Sequence, residues 1–347
     1  MRIPRATYRL QFNPDFGFRD AKRTVSYLSE LGISDLYASP IFKARRKSMH
    51  GYDVVDPTSL NAELGGEADF RALAQELKAF KMGWLQDVIP NHMAFDYENR
   101  MLMDVLEIGK ASAYYNYFDI EWEHAFETMQ GRLLAPFLGN SYGDSIRNRE
   151  IIVKYGDAGF TVNYYNWKFP LTMESYAKIL SLNLDQLRKR LGSDHPNLIK
   201  FMGMLYVMQV FPGQELPSKR YDQRKFVKNM LWELYQGERE IKRFIDRNLD
   251  ELNGKRPSKA PNLLDELLFG QFFRLSFWKV AGEEVNYRRF FNINELISVR
   301  IEDEEVFENC HSLILRLIRE AVFTGLRIDH IDGLYDPSLY LQRLQEK

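Results

Sequence analysis

Apolar and amphipathic segments alternate over the first 92 residues, and this alternation limits the fold more than any other feature of the chain. Each apolar segment has the length of a strand, and each amphipathic segment carries its apolar side chains at helical spacing. The predicted strands are residues 6–12, 35–41 and 84–89, and the predicted helices are residues 18–31 and 67–80. This order of elements is typical of a parallel sheet covered by helices.

One more helix–strand pair follows much later in the chain. Residues 312–322 predict a helix, and Gly325 precedes a predicted strand at residues 326–331. The sequence therefore predicts four parallel strands, whereas a closed β/α barrel has eight. Because an open four-stranded sheet would leave two long edges unpaired, we favour an α/β fold that is the N-terminal half of a (β/α)8 TIM barrel. A long, mainly helical insertion would follow its third strand.

This insertion divides the predicted barrel portion into two parts. Residues 1–92 would form the first three β/α units, and residues 301–347 the third barrel helix, the fourth strand and the start of the next helix. The rest of the barrel and a C-terminal domain would be absent. Residues 93–300 would form the inserted subdomain. Its predicted elements are a hairpin at residues 150–155 and 160–165, helices at residues 173–191, 224–252 and 262–280, and a break at residues 254–261.

Charge and cysteine content argue against several classes of function. Lys plus Arg (47) nearly balances Asp plus Glu (48), so nothing indicates a nucleic-acid partner, and the basic run at residues 43–47 is better explained as a solvated loop or a polar-ligand site. Cys310 is the only cysteine, which fits a reducing compartment. No apolar run approaches the length of a membrane span. We therefore expect a cytoplasmic protein without a membrane partner.

The last predicted strand ends in a group of polar side chains. Arg327 and Asp329 are two residues apart, so both project from one face of the strand, and the arginine favours the charged carboxylate. Asp329 is therefore a candidate nucleophile, although these two residues alone fit a structural ion pair equally well. Parallel β/α enzymes place their chemistry at the carboxyl ends of their strands, which is where this pair lies.

A second polar group lies at the end of the strand predicted at residues 84–89. Asp87 is within this strand, and Asn91 and His92 follow it. This group would face the same cavity, together with a rim loop that contains Tyr52 and Asp53. An aromatic side chain beside a carboxylate can form one wall of a sugar pocket. The alternatives are a structural cap or strand-end hydrogen bond for Asp87 and a loop histidine with satisfied hydrogen bonds for His92.

A metal site is the competing chemical interpretation. Its candidate ligands are Asp87, His92, Asp329, His330 and Asp332. No two histidines have the helical spacing of zinc ligands, and no cysteine pair exists. No glycine-rich phosphate loop follows the first predicted strand. We therefore expect neither a metal nor another cofactor.

The two strand-end motifs resemble those of a known family. Residues 87–92 are similar to the first signature region of the α-amylase family of glycoside hydrolases, and residues 327–329 are similar to its second. This resemblance implies that Asp329 is the catalytic nucleophile and that Arg327 keeps it ionised. It also implies a set of substrate-binding residues, in which Tyr52 stacks under the sugar ring at the cleavage subsite and His92 contacts a sugar hydroxyl. The other members of the set are Asp53, Asp87, Asn91 and His330.

Further segments narrow the resemblance to family members that rearrange the reducing end of maltooligosaccharides. These segments are residues 5–12, 37–42, 50–53, 286–291 and 325–337. Typical amylases have Lys-His shortly after the nucleophile, where this chain has Asp332 and Gly333. The resemblance implies a retaining transglycosylation that converts the terminal α-1,4 bond into an α,α-1,1 bond. The product would then pass to a trehalohydrolase.

The same resemblance implies a general-acid Glu and a further Asp after later strands, beyond Lys347. The chain alone would then be inactive, and its partners would be the maltooligosaccharide substrate and the C-terminal half of the same protein. Two alternatives stay open. One is an α-glucan hydrolase or transferase of the same family, and the other is a non-catalytic carbohydrate-binding fragment.

Overall fold

The computed structural model describes residues 3–210, 217–256 and 262–347. Its strands are β1 (Thr7–Leu10), β2 (Asp35–Ala38), β3 (Phe42–Ala44), β4 (Val54–Leu60), β5 (Gly83–Val88), β6 (His92–Ala94), β7 (Leu133–Leu138), β8 (Ile151–Gly156), β9 (Gly159–Tyr164), β10 (Trp167–Pro170), β11 (Phe273–Phe277), β12 (Leu296–Ser298) and β13 (Gly325–Ile328). Its α-helices are α1 (Phe18–Glu30), α2 (Glu67–Ala79), α3 (Arg100–Ile108), α4 (Tyr142–Arg147), α5 (Met173–Ser181), α6 (Leu184–Leu191), α7 (Pro196–Val210), α8 (Pro217–Gly237), α9 (Arg239–Leu252), α10 (Leu263–Phe269), α11 (Ala281–Glu284), α12 (Glu304–Arg319) and α13 (Pro337–Glu346). None of these helices combines the length and the apolar character needed to cross a bilayer.

The described residues form two compact units. The first contains Met1–Arg100, Asn116–Asp119 and Tyr287–Lys347, and the second contains Met101–Tyr115 and Ile120–Asn286. Both strand-end motifs lie in the first unit, although more than 200 residues separate them in the chain. The functional division of the chain at residues 92 and 300 stays a prediction.

The first unit contains a four-stranded sheet in the order β1–β2–β5–β13, in which all neighbours are parallel. These are the four predicted strands, so the parallel α/β arrangement is confirmed. In the chain, α1 lies between β1 and β2, α2 precedes β5, and α12 precedes β13. Among the described residues, β1 and β13 each pair with one neighbour and form the edges of the sheet.

The two faces of this sheet differ in chemistry. On one face, Leu36, Trp84 and Val88 are buried in a hydrophobic core that includes Phe70 of α2 and Leu313 of α12. Burial of these side chains stabilises the unit, because each large apolar side chain removed from water contributes about 1.5–3 kcal/mol.

The opposite face is polar. Register pairs Arg9 of β1 with Tyr37 of β2, and Arg327 of β13 with Asp87 of β5. Because side chains alternate along a strand, these four point away from the core. The sheet therefore presents polar groups from all four strands on one surface, and the candidate site is built on it.

The second unit contains two smaller sheets. β8, β9 and β10 form an antiparallel sheet, which confirms the predicted hairpin and adds a third strand. β7 pairs in parallel with β11, and the sequence predicted neither strand.

Two predicted helices of this unit are interrupted. The helix expected at residues 173–191 breaks between α5 and α6, where Asn183 adopts left-handed backbone geometry (φ 54°) and donates a side-chain hydrogen bond to Asn248. The helix expected at residues 224–252 breaks between α8 and α9. There Glu238 has an extended backbone, and its carboxylate accepts from the first turn of α9 as an N-cap.

The helix predicted at residues 262–280 is wrong beyond Phe269. Residues 273–277 form β11, in which Phe273 and Leu275 are buried while the residue between them is half-buried. Pairing with β7 supplies the backbone hydrogen bonds that make this segment a strand. The predicted break at residues 254–261 lies partly outside the described residues.

Candidate active site

Asp87, Arg327 and Asp329 form one charged group, the Arg327 cluster, at the carboxyl ends of β5 and β13. Arg327 and Asp87 are register partners on adjacent strands, so their side chains leave the same face side by side. Nη1 of Arg327 lies 2.9 Å from Oδ1 of Asp87 and also donates to Oδ1 of Asp329. Burial lowers the pKa of Arg327, but its hydrogen bonds to the two carboxylates outweigh burial and raise that pKa above its ordinary value.

Asp87 is held on both of its oxygens. Its side chain is fully buried, and Oδ2 accepts hydrogen bonds from the hydroxyls of Tyr52 at 2.6 Å and Tyr37 at 3.0 Å. The Tyr52 hydroxyl also accepts from Nη2 of Arg9 at 3.2 Å. Burial, together with the hydrogen bond to Asp87, raises the pKa of Tyr52 to about 12, so the hydroxyl is a neutral donor at physiological pH. These contacts fix the Asp87 carboxylate in one orientation.

Asp329 is held on one oxygen. Its backbone N–H donates to the carbonyl of Val88 at 2.9 Å, which places its side chain immediately past the end of β13. The residue is only 5% exposed, and Arg327 binds Oδ1. Oδ2 has no hydrogen-bond partner among the described residues. A charged oxygen without a donor can attack an electrophilic carbon, as a carboxylate nucleophile must.

His92 is buried beside this group without hydrogen bonds of its own. It is 1% exposed, and its ring stacks on that of Phe290 with centroids 4.1 Å apart. Neither ring nitrogen has a hydrogen-bond partner of normal geometry among the described residues. Burial lowers the pKa of His92 to about 4, so the ring is neutral at pH 7. The ring nitrogens are therefore open to a ligand, and a contact of His92 with a sugar hydroxyl stays a prediction.

Asn91 belongs to a second link between the two strand ends. Its Oδ1 accepts from Nη1 of Arg288 at 2.8 Å, and the same nitrogen donates to the carbonyl of Gly333 at 2.7 Å. Nε of Arg288 lies 2.6 Å from Oδ2 of Asp119. Arg288 therefore ties the loop after β5 to the loop after β13.

Asp53 lies in the loop between β3 and β4, and its contacts are local. It accepts a hydrogen bond from the Ser48 hydroxyl, and its Oδ1 lies 3.8 Å from Nδ1 of His50. Gly51 in the same loop has φ 78°, and a Cβ there would lie 2.7 Å from the carbonyl of Pro40, so only glycine fits. Asp53 shapes the loop that carries Tyr52, and a direct contact with a sugar stays a prediction.

His330 follows the nucleophile candidate directly and has left-handed backbone geometry (φ 42°). Its Nδ1 lies 3.6 Å from Oδ1 of Asp332, and its ring packs edge-on against Phe290. Within the described residues, no group of three or more His, Cys, Asp or Glu side chains could hold a metal ion. The Arg327 guanidinium occupies the position between Asp87 and Asp329.

Sequence reasoning gave no role to four residues that complete the site, Arg9, Tyr37, Arg288 and Phe290. All four lie in segments that carried the family resemblance. Their hydrogen bonds and ring contacts run across the sheet rather than along the chain, so sequence spacing could not have assigned them.

Comparisons with known proteins support the resemblance. The α-amylase catalytic domain matches residues 22–165. A protein of Mycobacterium tuberculosis described as a putative maltooligosyl trehalose synthase is 29% identical over 98% of this chain and 33% of its own length. A solved maltooligosyl trehalose synthase is 30% identical over 99% of this chain and 34% of its own, with a TM-score of 0.67. The maltooligosyltrehalose synthase of Arthrobacter ramosus gives 30% identity over 99% of this chain and 33% of its own, with a TM-score of 0.66.

These similarities confirm the resemblance to α-amylase catalytic domains and, more closely, to maltooligosyl trehalose synthases. The chain spans about a third of the length of these relatives.

Proposed function

We propose that this chain supplies the nucleophile side of an active site that converts the reducing-end α-1,4 bond of maltooligosaccharides into an α,α-1,1 bond. One observation carries the proposal. Asp329 is a nearly buried residue whose Oδ1 is bound by Arg327 while Oδ2 accepts no hydrogen bond from the described residues, and the chain is similar over nearly its whole length to proteins named maltooligosyl trehalose synthase.

In the proposed retaining mechanism, Oδ2 of Asp329 attacks the anomeric carbon of the penultimate glucose. The bond from that carbon to the terminal glucose breaks, and a general acid protonates the leaving oxygen. The glucose stays bound, turns, and attacks the glycosyl-aspartate through its own anomeric hydroxyl. In this second step the conjugate base of the general acid takes the proton of that hydroxyl, the carboxylate is released and the α,α-1,1 bond forms. Water must be excluded, because it would otherwise take the place of the glucose.

The neighbouring residues have proposed roles in binding the sugar. Tyr52 would lie under the ring whose bond is cleaved, held by its hydrogen bond to Asp87. His92 is neutral and its nitrogens are unsatisfied, so it would bond a sugar hydroxyl without repelling or attracting charge. Asn91 and His330 would complete the wall, with Asn91 held by Arg288.

The general acid and a further carboxylate are proposed to lie outside this chain, on later strands of a (β/α)8 barrel of which β1, β2, β5 and β13 form the first half. The chain by itself would then be unable to complete either step with a natural substrate. A cytoplasmic location and a functional link to a maltooligosyl trehalose trehalohydrolase, which would take up the product, belong to the same proposal.

The test uses a substrate that needs no general acid. In 5-fluoro-α-maltosyl fluoride the leaving group is fluoride, so attack by Asp329 alone should form a stable glycosyl-enzyme. We expect intact-mass spectrometry to show one added glycosyl group, and peptide mapping to place it on Asp329. The Asp329→Asn variant should lose at least a thousandfold in labelling rate, whereas Asp332→Asn, the same change on a side chain that is 84% exposed, should label normally.

The outcome separates the remaining functions. Labelling elsewhere, or equal labelling of Asp329→Asn, would refute the nucleophile. Binding of maltopentaose without any labelling would favour a non-catalytic carbohydrate-binding fragment. If the longer enzyme released glucose or transferred chains instead of making trehalose-ended products, a hydrolase or transferase of the family would be the correct assignment.

A further inference from the structure

Phe291 combines three features that rarely occur in one residue. Its φ is 51°, in the left-handed region that bulky side chains seldom adopt. Its side chain is 68% exposed, and its ring lies 5.4 Å from that of His330, nearly perpendicular to it. An aromatic residue held in a costly backbone conformation with a free face is a candidate functional contact.

His330 shares this unusual backbone geometry, with φ 42°. The two residues therefore form a contacting pair of left-handed, non-glycine residues, and one member follows Asp329 directly in the chain. Strained residues concentrate at binding and catalytic sites, where the surrounding structure holds them.

The surrounding structure holds Phe291 through its neighbours. Phe290 stacks on His92 and lies 5.0 Å from the ring of His330. Arg288 bonds the loops after β5 and β13. The backbone that carries Phe291 is thus anchored to both strand ends, so its exposed ring is presented in a fixed orientation.

The position of Phe291 differs from that of Tyr52. Tyr52 contacts Asp87 at the end of β5, whereas Phe291 contacts the residue that follows Asp329 at the end of β13. Tyr52 is thus linked to one carboxylate of the Arg327 cluster, and Phe291 is linked through His330 to the other. Because the proposed function places Tyr52 under the glucose that is attacked, Phe291 is the aromatic side chain left for the glucose that leaves.

We infer that Phe291 is a specificity-determining residue on which the reducing-end glucose stacks while it leaves, turns and returns. This inference rests on the proposed function and deepens it. A ring face held in place is suited to this task, because stacking retains a pyranose against solvent and yet allows it to rotate in its own plane.

The test compares maltopentaose with maltopentaitol, whose terminal ring has been opened by reduction. Titration calorimetry is done in the Asp329→Asn background, so that no bond is broken. We expect Phe291→Ala to weaken maltopentaose binding about tenfold, as loss of one apolar ring contact should, and to change maltopentaitol binding less than twofold. Phe291→Tyr and Phe291→Trp should restore the preference. Phe126→Ala, which truncates an exposed phenylalanine of the second unit, should change neither affinity.

Circular dichroism and the thermal midpoint establish that each variant is folded. Equal loss for both ligands would overturn the inference, because Phe291 would then contact an inner glucose. Unchanged maltopentaose binding after Phe291→Ala, together with normal fluoride labelling of a Phe291→Ala protein that keeps Asp329, would also overturn it and leave the proposed function intact. Absence of both binding and labelling would refute the proposed function, and this inference with it.

Discussion

Several arginines of this chain each bind two acidic side chains, and two of them, Arg224 and Arg327, differ in which carboxylate oxygens they leave free. In the second unit, Arg224 lies 2.8 Å from Asp104 and 3.3 Å from Glu107, and Lys228 lies 2.6 Å from the other oxygen of Glu107. We call these four residues the Arg224 cluster. Its charges balance, two against two, and hydroxyls of Ser112 and Tyr221 donate to the remaining oxygen of Asp104.

The Arg327 cluster has two carboxylates for one guanidinium and leaves Oδ2 of Asp329 without a partner among the described residues. The Arg224 cluster joins α3 to α8, and each of its carboxylate oxygens has a hydrogen-bond or ion-pair contact, which is the behaviour of a structural ion pair. An arginine between two acidic side chains is therefore not by itself a sign of catalysis. The informative features are an unused oxygen, an excess of negative charge and a position at strand ends.

Replacing each arginine with methionine should distinguish a structural role from a catalytic role, and these variants have the largest expected effects. Arg224→Met leaves two nearly buried carboxylates with one lysine, so we expect the free energy of unfolding to fall by about 3–4 kcal/mol. Arg327→Met also leaves two nearly buried carboxylates without their cation, so it should cost a similar amount of stability, but only this variant should lower the rate of fluoride labelling, by at least a hundredfold. Urea denaturation and mass spectrometry measure the two quantities. A large stability loss with normal labelling in Arg327→Met would make that cluster structural.

Two buried histidines also differ in whether their ring nitrogens make hydrogen bonds. His311 of α12 uses both nitrogens, at 2.9 Å from the carbonyl of Phe307 and 2.8 Å from the hydroxyl of Tyr340, whereas His92 uses neither. We expect His311→Leu to lower the free energy of unfolding by about 2 kcal/mol, because it strands buried polar partners. His92→Leu should be neutral or stabilising, and it should weaken sugar binding.

The pH dependence of stability follows from the same two residues. Burial lowers the pKa of both His92 and His311 from about 6.5 to about 4. Between these values the unfolded chain binds more protons than the folded chain, so stability is complete above about pH 6.5 and is lost as the pH falls toward 4. Each histidine should account for roughly 2 kcal/mol between pH 7 and pH 5. Urea titrations at pH 7 and pH 5 should show that each His→Leu variant lacks its share of this pH dependence.

The sequence predicted the part of the fold that local patterns determine. Hydrophobic periodicity located β1, β2, β5 and β13, because alternation of strand and helix depends on neighbouring residues. Periodicity predicts a helix at residues 262–280, whereas pairing with the distant strand β7 makes Phe273 and Leu275 part of a strand. Periodicity also missed the end of α5 before Asn183, because a side-chain hydrogen bond from Asn183 to Asn248 of the later helix α9 stabilises the interruption.

The candidate site was predictable to the same extent. Spacing of two placed Arg327 and Asp329 together, and the predicted parallel order placed Asp87 nearby. The hydrogen-bond network that distinguishes a nucleophile from a structural ion pair could not be predicted from the sequence. Tyr52, Arg9 and Arg288 contribute to it from distant parts of the chain.

The smallest expected effect concerns Oδ2 of Asp87, which accepts hydrogen bonds from two tyrosine hydroxyls, whereas Oδ2 of Asp329 accepts none from the described residues. Tyr52→Phe removes one of two hydroxyl donors to Oδ2 of Asp87 but keeps the ring, so we expect labelling to slow about tenfold or less while maltopentaose affinity changes less than twofold. Tyr27→Phe, an exposed residue of α1, is the matched control.

Because the pKa of Tyr52 is raised to about 12, its hydroxyl stays protonated through pH 10, and wild-type labelling should not fall between pH 8 and pH 10 on its account. Equal loss of affinity and labelling in Tyr52→Phe would instead mean that the hydroxyl binds the sugar, so that Asp87 would owe its orientation to Arg327 and Tyr37.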